Sequence, residues 1–260
     1  MKKPVVWITG ASSGIGAAVA KQYAQKGVRL ILSARRKDVL KEVAEQCSPA
    51  EVALLPFDLA ETQKASDHVA AALEIFGEVD ILINNGGISQ RSLIENTQYE
   101  VYSHLIEVDY LGTVALSVAL LPHFIERKSG HYATVSSIMG KFSSPYRAGY
   151  CGAKHALHGF FDAMRMEQEK NGISVTMVCP GFINTQVSAN AITGDGTPLG
   201  KSDRGTKLGV DVDRCARKIV RAIDQKKWEV YIGRKELLGI YLKRLSNKWN
   251  HRVVLKSQVR

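Results

Sequence analysis

Short runs of apolar and β-branched residues recur along the chain, and the segments between them repeat apolar positions every three to four residues. The runs predict seven strands, at Val5–Thr9, Leu30–Ser33, Val52–Phe57, Ile81–Asn84, Tyr132–Ser136, Val175–Cys179 and Val230–Ile232. Helical spacing is clearest in Ala17–Gln25, Lys64–Phe76 and Ala153–Glu169. Continuously apolar strands that alternate with helices are typical of a parallel sheet covered on both sides. We therefore predict an α/β fold: a doubly wound, Rossmann-type, parallel seven-stranded sheet with helices on both faces.

The composition is that of one soluble globular domain. The 260 residues are 45% hydrophobic and 23% charged, and no repeat, low-complexity tract or linker divides them. No apolar run reaches the roughly 18 residues of a membrane span, and the start Met-Lys-Lys-Pro leads directly into the first strand. We therefore expect a single domain over residues 1–260, with neither a spanning segment nor a signal peptide.

The net charge of +10 is concentrated near the C-terminus, where residues 228–260 hold eight Lys or Arg against two Glu. Outside this tail we find no basic face with stacking aromatics, so we expect no nucleic-acid partner. The four cysteines are scattered, so we expect no disulfide framework and a cytoplasmic location, where thiols stay reduced. No histidine pair has metal-ligand spacing, so we expect no metal. We interpret His155 and His158 as helix-surface or interface residues.

A glycine-rich turn, Thr9-Gly10-Ala11-Ser12-Ser13-Gly14-Ile15-Gly16, follows the first strand and precedes a helix. Glycines permit a tight turn and let backbone N–H groups approach a pyrophosphate at the positive end of the helix. This order of strand, glycines and helix predicts a dinucleotide site. The candidate cofactor residues of the turn are Gly10, Ser12, Ser13, Gly14, Ile15 and Gly16.

The end of the second strand reads Ser33-Ala34-Arg35-Arg36. A protein that binds NAD usually places a carboxylate here for the ribose 2′-hydroxyl. This chain has instead two guanidinium groups, Arg35 and Arg36, which suit a 2′-phosphate. The sequence therefore favours NADP(H) over NAD(H).

Tyr150 and Lys154 lie four positions apart at the start of a predicted helix, so both side chains share one face. An adjacent ammonium stabilises a phenolate, and a tyrosine in that setting can exchange a proton with an alkoxide. Ser137 follows the fifth predicted strand, at the sheet edge where α/β proteins bind ligands. These three residues are candidate catalytic groups.

Together, TGASSGIG, Asn84-Asn85-Gly86-Gly87, Ser137, Tyr150-x-x-x-Lys154 and Pro180-Gly181 resemble the short-chain dehydrogenase/reductase family along residues 4 to about 225. The resemblance implies that Tyr150 is the acid/base, that Lys154 favours its ionised form and holds the nicotinamide ribose, and that Ser137 binds the substrate carbonyl. It also implies cofactor contacts for Asp58 and Leu59 at the adenine, Asn85 and Gly86 along the cofactor, and Pro180, Gly181, Ile183 and Thr185 at the nicotinamide.

Two positions depart from the family pattern. Gly86 stands where the family usually has alanine, a mild change. Asp109 stands where the family usually has an asparagine that helps to hold a water in the proton relay to Lys154. The charge of Asp109 is expected to attract Lys154 and weaken its effect on Tyr150, so we expect reduced or pH-shifted activity.

Within the family, residues 84–93 and 150–161 and the C-terminal block are similar to the branch called dehydrogenase/reductase family member seven. That branch is associated with carbonyl reduction on apolar substrates such as steroids, retinoids, quinones or lipid-like ketones. Members typically have an N-terminal membrane anchor, which we do not expect here. Relatives also form dimers or tetramers through helices corresponding to residues 111–124 and 154–168, so we expect a homo-oligomer.

The residues beyond 235 form a basic, partly amphipathic C-terminal extension. Apolar residues at 237, 238, 241, 242, 245 and 249 predict one helical stripe flanked by lysines and arginines. Such a helix either docks on its own domain, capping the pocket, or makes peripheral contact with an anionic membrane. We favour docking.

Other features leave alternatives open. The polar segment Ala191–Gly209 is expected to be a lid or binding loop rather than a linker. Arg91 and Arg147 either meet an anionic group of the substrate or are simply exposed. The function is interpreted as that of an NADP(H)-dependent carbonyl reductase acting on a small molecule, and the alternative is an NADP(H)-binding sensor with little turnover, which only Asp109 favours.

Overall fold

Seven strands form one sheet within the described part of the chain, which in this computed structural model comprises residues 2–201 and 204–257. The strands are β1 Val5–Thr9, β2 Arg29–Ser33, β3 Glu51–Leu54, β4 Ile81–Asn84, β5 Gly130–Val135, β6 Ile173–Pro180 and β7 Glu229–Ile232. All neighbours are parallel, in the order β3-β2-β1-β4-β5-β6-β7. The predicted doubly wound parallel sheet is confirmed, with strand ends shifted by up to three residues.

The crossovers are mostly helical. The helices are α1 Gly14–Ala24, α2 Lys37–Glu45, α3 Ala65–Phe76, α4 Tyr99–Ile106, α5 Gly112–Arg127, α6 Ala148–Gln168, α7 Arg204–Lys207, α8 Val212–Asp224, α9 Leu238–Leu245 and α10 Asn247–Lys256. A π-helical turn, Glu107–Leu111, joins α4 to α5. Residues 202–203 of the predicted binding loop and 258–260 of the predicted extension lie outside the described residues.

Alternate side chains of the strands fill two separate cores. Val6 and Ile8 of β1 pack on one face of the sheet with α1 and α8, whereas Val5 and Trp7 pack on the other with α3, α5 and α6. Because both faces are covered, all five residues of β1 are buried. This arrangement explains the unbroken apolar runs in the sequence.

The strand order reverses between β1 and β4. Chain crossovers leave β1 toward β2 on one side, whereas β4 and the later strands extend the sheet on the other side. The connections that leave their carboxyl ends therefore run in opposite directions and leave a crevice beyond the paired strands, which is where open α/β sheets bind ligands.

The helical stretch Tyr99–Arg127 is long and apolar enough, by length and composition alone, to cross a membrane, which we had not expected from the sequence. Of its most apolar window, 44% is buried within the protein. Leu116, Leu120 and Phe124 of this stretch belong to the core on one face of the sheet. Core helices of globular domains have the same length and composition, so this finding is weak evidence for a membrane span.

The C-terminal extension consists of two helices rather than the single helical stripe that we predicted. The chain leaves helical geometry at Ser246, which has φ −158° and whose hydroxyl accepts a hydrogen bond from the Trp249 N–H at 3.4 Å. Ile240 of α9 and Val254 of α10 pack on Phe142 in a third, smaller apolar cluster. The extension therefore docks on its own domain, in agreement with the favoured alternative, mainly through residues outside the stripe, although Leu237 of the stripe also packs against this cluster.

Candidate active site

The glycine turn after β1 is fastened to the loop after β4. The Asn85 side-chain amide donates to the carbonyls of Thr9 and Gly10 at 3.1 Å each, and the Thr9 hydroxyl accepts from the Asn85 and Gly86 N–H groups. Gly10 has φ +62°, and a Cβ on it would lie 2.7 Å from Gly86 Cα. A Cβ on Gly16 would lie 2.3 Å from the Gly10 carbonyl oxygen. The turn therefore requires glycine at both positions.

A cleft of about 710 Å³ runs along the carboxyl edge of the sheet. Two candidate residues, Gly16 and Asp109, do not line it: Gly16 packs behind the turn and Asp109 is fully buried. The candidates that do line it are Gly10, Ser12, Ser13, Gly14, Ile15, Arg35, Arg36, Asp58, Leu59, Asn85, Gly86, Ser137, Tyr150, Lys154, Pro180, Gly181, Ile183 and Thr185.

The phosphate end of this cleft has the donors that a dinucleotide needs. Ser13 is the N-cap residue of α1, and within the described residues its side chain makes no capping bond and the first turn holds no acid. The N–H groups at the positive end of α1 are therefore available to an anion. The turn, the missing Cβ groups and this helix end together fit a pyrophosphate.

The Arg35 and Arg36 side chains are exposed at the end of β2, where they line the same cleft. Arg35 Nη1 lies 3.8 Å from Asp58 Oδ2, across the strand ends. The Asp58 carboxylate also accepts a hydrogen bond from the Ala60 N–H at 3.0 Å. The adenosine end thus presents two guanidinium groups, of which Arg35 is partly balanced by one carboxylate.

The three candidate catalytic residues lie on one wall of the cleft. Ser137 comes two residues after β5; its hydroxyl donates to the Pro180 carbonyl at 3.3 Å and accepts from the Met139 N–H at 3.1 Å. Lys154 is buried, donates to the Val135 carbonyl at 3.3 Å, and has its ammonium 5.6 Å from the centre of the Tyr150 ring. A hydroxyl, a phenol and an ammonium therefore line the same cleft.

Asp109 lies behind this wall, in the π-helical turn, and contacts the machinery only through Lys154. Its Oδ1 accepts from the Ile88 N–H at 2.7 Å, and its Oδ2 lies 3.7 Å from Lys154 Nζ. Among the described residues, Oδ2 has no hydrogen-bond partner. Burial raises the pKa of Asp109 above its usual value, and the nearby Lys154 ammonium opposes that shift.

Gly87 lies against both Asp109 and Lys154. A Cβ on Gly87 would lie 2.9 Å from Asp109 Oδ1 and 3.2 Å from Lys154 Nζ. A side chain at this position would therefore press on both the carboxyl group and the ammonium.

Gln90, which the sequence analysis did not single out, holds the start of α6, the helix that contains Tyr150 and Lys154. Its side chain is fully buried, and its Oε1 accepts from the Gly149 N–H at 2.8 Å and the Tyr150 N–H at 3.4 Å. Among the described residues, the N-cap Arg147 supplies no side-chain cap of its own. Since Gln90 lies 60 residues before Tyr150, local spacing could not have revealed this cap.

The substrate end of the cleft combines charge with loop residues. Arg147 is buried and Arg91 is half-buried, and both line the cleft rather than pointing into bulk water. The predicted binding loop contributes four further lining residues, Ile192, Gly196, Pro198 and Thr206. Its Ile192 exchanges backbone hydrogen bonds with the Ser89 carbonyl and the Arg91 N–H.

His158 is buried, so of the two alternatives, helix surface or interface, the helix surface was wrong, whereas His155 is exposed as expected. Burial lowers the pKa of His158 to about 4. Side-chain atoms of His158, Cys179 and Glu229 lie within 4.8 Å of one another, a spacing that would allow a metal ion. However, the Lys141 ammonium lies 2.6 Å from Glu229 Oε1 and would compete with a cation. That the protein needs no metal stays a prediction.

Sequence comparisons relate the chain to known proteins. Residues 4–195 match the family model described as short chain dehydrogenase. The chain is 41% identical over 253 residues to Dehydrogenase/reductase SDR family member 7 of Homo sapiens, covering 94% of this chain and 75% of that protein. It is 40% identical over 248 residues to Dehydrogenase/reductase SDR family protein 7-like of Drosophila melanogaster, covering 93% and 76%.

Solved structures show the same fold. A short-chain dehydrogenase/reductase from Burkholderia phymatum in complex with NAD superimposes with a TM-score of 0.84 at 20% identity, covering 94% of both chains. An alcohol dehydrogenase from Thermococcus sibiricus complexed with 5-hydroxy-NADP gives a TM-score of 0.76 at 26% identity, covering 89% of this chain and 97% of that one.

A parallel sheet with a glycine turn at the point of strand reversal defines a dinucleotide-binding α/β protein. This chain belongs to the short-chain dehydrogenase/reductase family, a family of oxidoreductases that bind nicotinamide cofactors.

Replacing Gln90 by alanine should impair both the stability of α6 and catalysis. The Gly149 and Tyr150 N–H groups would lose their acceptor, which costs about 1 to 3 kcal/mol of unfolding free energy, and Tyr150 would lose its fixed position. Urea denaturation and kcat measure the two effects. Gln98→Ala is the matched control, because Gln98 precedes α4 without a side-chain cap bond. Equal stability and equal kcat in the two variants would contradict the role of Gln90.

Asp109→Asn should remove a pH dependence of stability and raise the rate at neutral pH. Because the pKa of Asp109 is raised in the folded protein, its proton stabilises the fold at low pH. That stabilisation is lost as the pH rises from the ordinary aspartate range through the folded pKa. In the variant, no carboxylate holds Lys154 away from Tyr150.

Unfolding free energy and kcat/KM, measured between pH 5 and 9 on wild type and variant, test this prediction. Asp67→Asn, on the exposed side of α3, is the control and should follow the wild type. Superimposable pH profiles for Asp109→Asn and wild type would mean that Asp109 has no part in the reaction.

Proposed function

We propose that the protein is an NADP(H)-dependent oxidoreductase that transfers hydride between nicotinamide and a carbonyl or secondary alcohol of an apolar small molecule. The observation that carries the proposal is the position of Ser137, Tyr150 and Lys154 on one wall of the cleft whose other end is the glycine turn. A cofactor bound along this cleft has its phosphates at the turn and its reactive end at the three side chains.

The cofactor, when bound, supplies or accepts the hydride. In the reductive direction, the Tyr150 hydroxyl donates its proton to the carbonyl oxygen of the substrate as negative charge develops there. The Ser137 hydroxyl turns from the Pro180 carbonyl to donate to the same oxygen. The Lys154 ammonium stabilises the phenolate that Tyr150 becomes, and the reverse steps serve oxidation.

The preference for NADP(H) rests on the end of β2. No carboxylate follows β2 in the sequence Ser33-Ala34-Arg35-Arg36, and both arginines line the cleft. Two guanidinium groups suit a 2′-phosphate and offer nothing specific to a 2′-hydroxyl.

The proposed substrate is steroid-, retinoid-, quinone- or lipid-like. Six apolar side chains line the cleft together with the polar ones: Val108, Ile138, Met139, Phe182, Val187 and Ile192. Such a lining stabilises an apolar body around one polar reacting group. The resemblance to the branch of family member seven supports the same class of substrate.

The second candidate is an NADP(H)-binding sensor with little turnover, and the contact between Asp109 and Lys154 is the observation in its favour. An ionised Asp109 at 3.7 Å draws the ammonium away from Tyr150 without disturbing the phosphate end of the cleft. Binding would then persist while proton transfer slows.

We also propose a cytoplasmic homo-oligomer. Leu111 at the end of the π-helical turn and Val118 and Ile125 of α5 recur every seven residues, and they are 43%, 49% and 37% exposed. An exposed apolar face on a long helix can pack against the same face of a second copy of this chain.

Tyr150→Phe should lower kcat for carbonyl reduction by about 10²- to 10⁴-fold, because it removes the proton donor alone. NADPH affinity, measured by fluorescence titration, should stay within about twofold. Tyr99→Phe is the control, since Tyr99 is 78% exposed and does not line the cleft. Unchanged NADPH oxidation by the Tyr150 variant against a panel of apolar ketones would disprove the proposed reaction, and no turnover by the wild type would favour the sensor.

The double variant Arg35→Ser, Arg36→Ser should raise the dissociation constant of NADPH about ten- to hundredfold and change that of NADH little. Each charge-assisted hydrogen bond to a 2′-phosphate is worth about 1.5 to 3 kcal/mol. Lys37→Ser removes a neighbouring exposed charge outside the cleft lining and should leave the ratio unchanged. A wild-type protein that binds both cofactors equally would refute the NADP(H) preference.

A further inference from the structure

The apolar stripe of α9 points away from the domain. Leu238, Tyr241 and Leu245 lie at positions i, i+3 and i+7, which places them on one face, and they are 61%, 56% and 79% exposed. The docked side of the same helix consists of Gly239 and Ile240, which are buried. A helix that used its stripe to dock would bury those three large side chains.

Helix α10 repeats this arrangement. Trp249 and Val253, four positions apart, are 61% and 49% exposed, whereas Asn250 and Val254 are buried. The Asn250 side-chain amide donates to the Gly239 carbonyl at 2.9 Å and fastens α10 to α9. We call five exposed apolar residues of the two helices the outer face: Leu238, Tyr241, Leu245, Trp249 and Val253; Leu255 of α10 is also exposed and is not counted in it.

The outer face is surrounded by positive charge. Six basic residues on and beside the two helices are all exposed: Lys235, Lys243, Arg244, Lys248, Arg252 and Lys256. The single acid between residues 235 and 257, Glu236, is half-buried and accepts a hydrogen bond from the Phe182 N–H. This part of the chain therefore has a net charge of +5, six positive charges less one negative.

We propose that the outer face binds the surface of an anionic lipid bilayer, with its apolar residues inserted at the level of the headgroups. Exposed apolar side chains with Trp and Tyr among them, bordered by lysines and arginines, have the composition of interfacial helices. Phosphate-rich lipid complements the charge of +5. A second copy of the face would instead bring two sets of like charges together.

The segment that leads into α9 contacts the wall of the cleft. Glu236 Oε1 accepts from the Phe182 N–H at 3.1 Å, and a Cβ on Gly181 would lie 2.5 Å from the same oxygen. Gly181 and Phe182 both line the cleft. Helix α9 therefore begins close to the proposed substrate site, although lipid binding by the outer face does not depend on the reaction.

Co-sedimentation with vesicles tests the proposal directly. The intact protein should bind vesicles of phosphatidylcholine with about 30% phosphatidylserine at 0.1 M salt, and the partition coefficient should fall at least about tenfold on pure phosphatidylcholine or at 1 M salt. Trp249→Ser should lower it about tenfold, whereas Trp228→Ser, which removes a Trp that is 69% exposed outside the outer face, should not.

Two results would overturn the proposal. One is equal vesicle binding by the Trp249 and Trp228 variants, since the outer face would then make no contact with lipid. The other result has two parts: the wild type does not bind the anionic vesicles, and the Leu245→Glu variant has a lower mass than the wild type in sedimentation velocity. The outer face would then join two copies of the chain. Far-ultraviolet circular dichroism and NADPH binding of each variant show that it is folded.

Discussion

Hydrogen bonds between the glycine turn and the loop after β4 determine the shape of the cleft. The strand order reverses at the neighbouring strands β1 and β4, and beyond their carboxyl ends Asn85 binds the Thr9 and Gly10 carbonyls at the floor of the cleft. The backbones approach so closely that Gly10 and Gly16 cannot accommodate a side chain. The crevice therefore has a rigid floor, and the N-terminal end of α1 is fixed against it. Residues further along the cleft can vary without displacing the phosphate site.

The environment of Lys154 links this scaffold to the chemistry. The ammonium is buried among the Val135 carbonyl, the Tyr150 ring and the Asp109 carboxyl group, so its charge acts in a medium of low polarity. A buried carboxylate would compete with the phenolate for the same cation, whereas a protonated Asp109 would not. Because burial favours the protonated form, the structure reduces the conflict that the sequence suggested. Enzyme and sensor then differ in the protonation state of one carboxyl group.

Much of the fold was predictable because each strand is apolar throughout and each crossover has a clear helical period. The glycine turn and the Tyr150–Lys154 pair could also be predicted from the sequence, because local spacing defines them. Gln90 was not, because its partners lie 60 residues away and a glutamine in a loop has no pattern of its own. His158 was misjudged for a related reason: the side of a helix that faces β7 is decided by the packing of α6 on the sheet.

The extension shows what periodicity leaves undetermined. Spacing of 3.6 residues tells which side chains share a face, but not which face meets the domain. Here the docked side is the one that permits close approach: a Cβ on Gly239 would lie 2.6 Å from the Phe142 ring, and Ile240 and Val254 fill the remaining space. The bulkier Leu238, Tyr241 and Leu245 do not pack into this contact with the domain and remain exposed to solvent. Small residues therefore determine how α9 docks, and the most apolar face is left to solvent or to a surface that complements it.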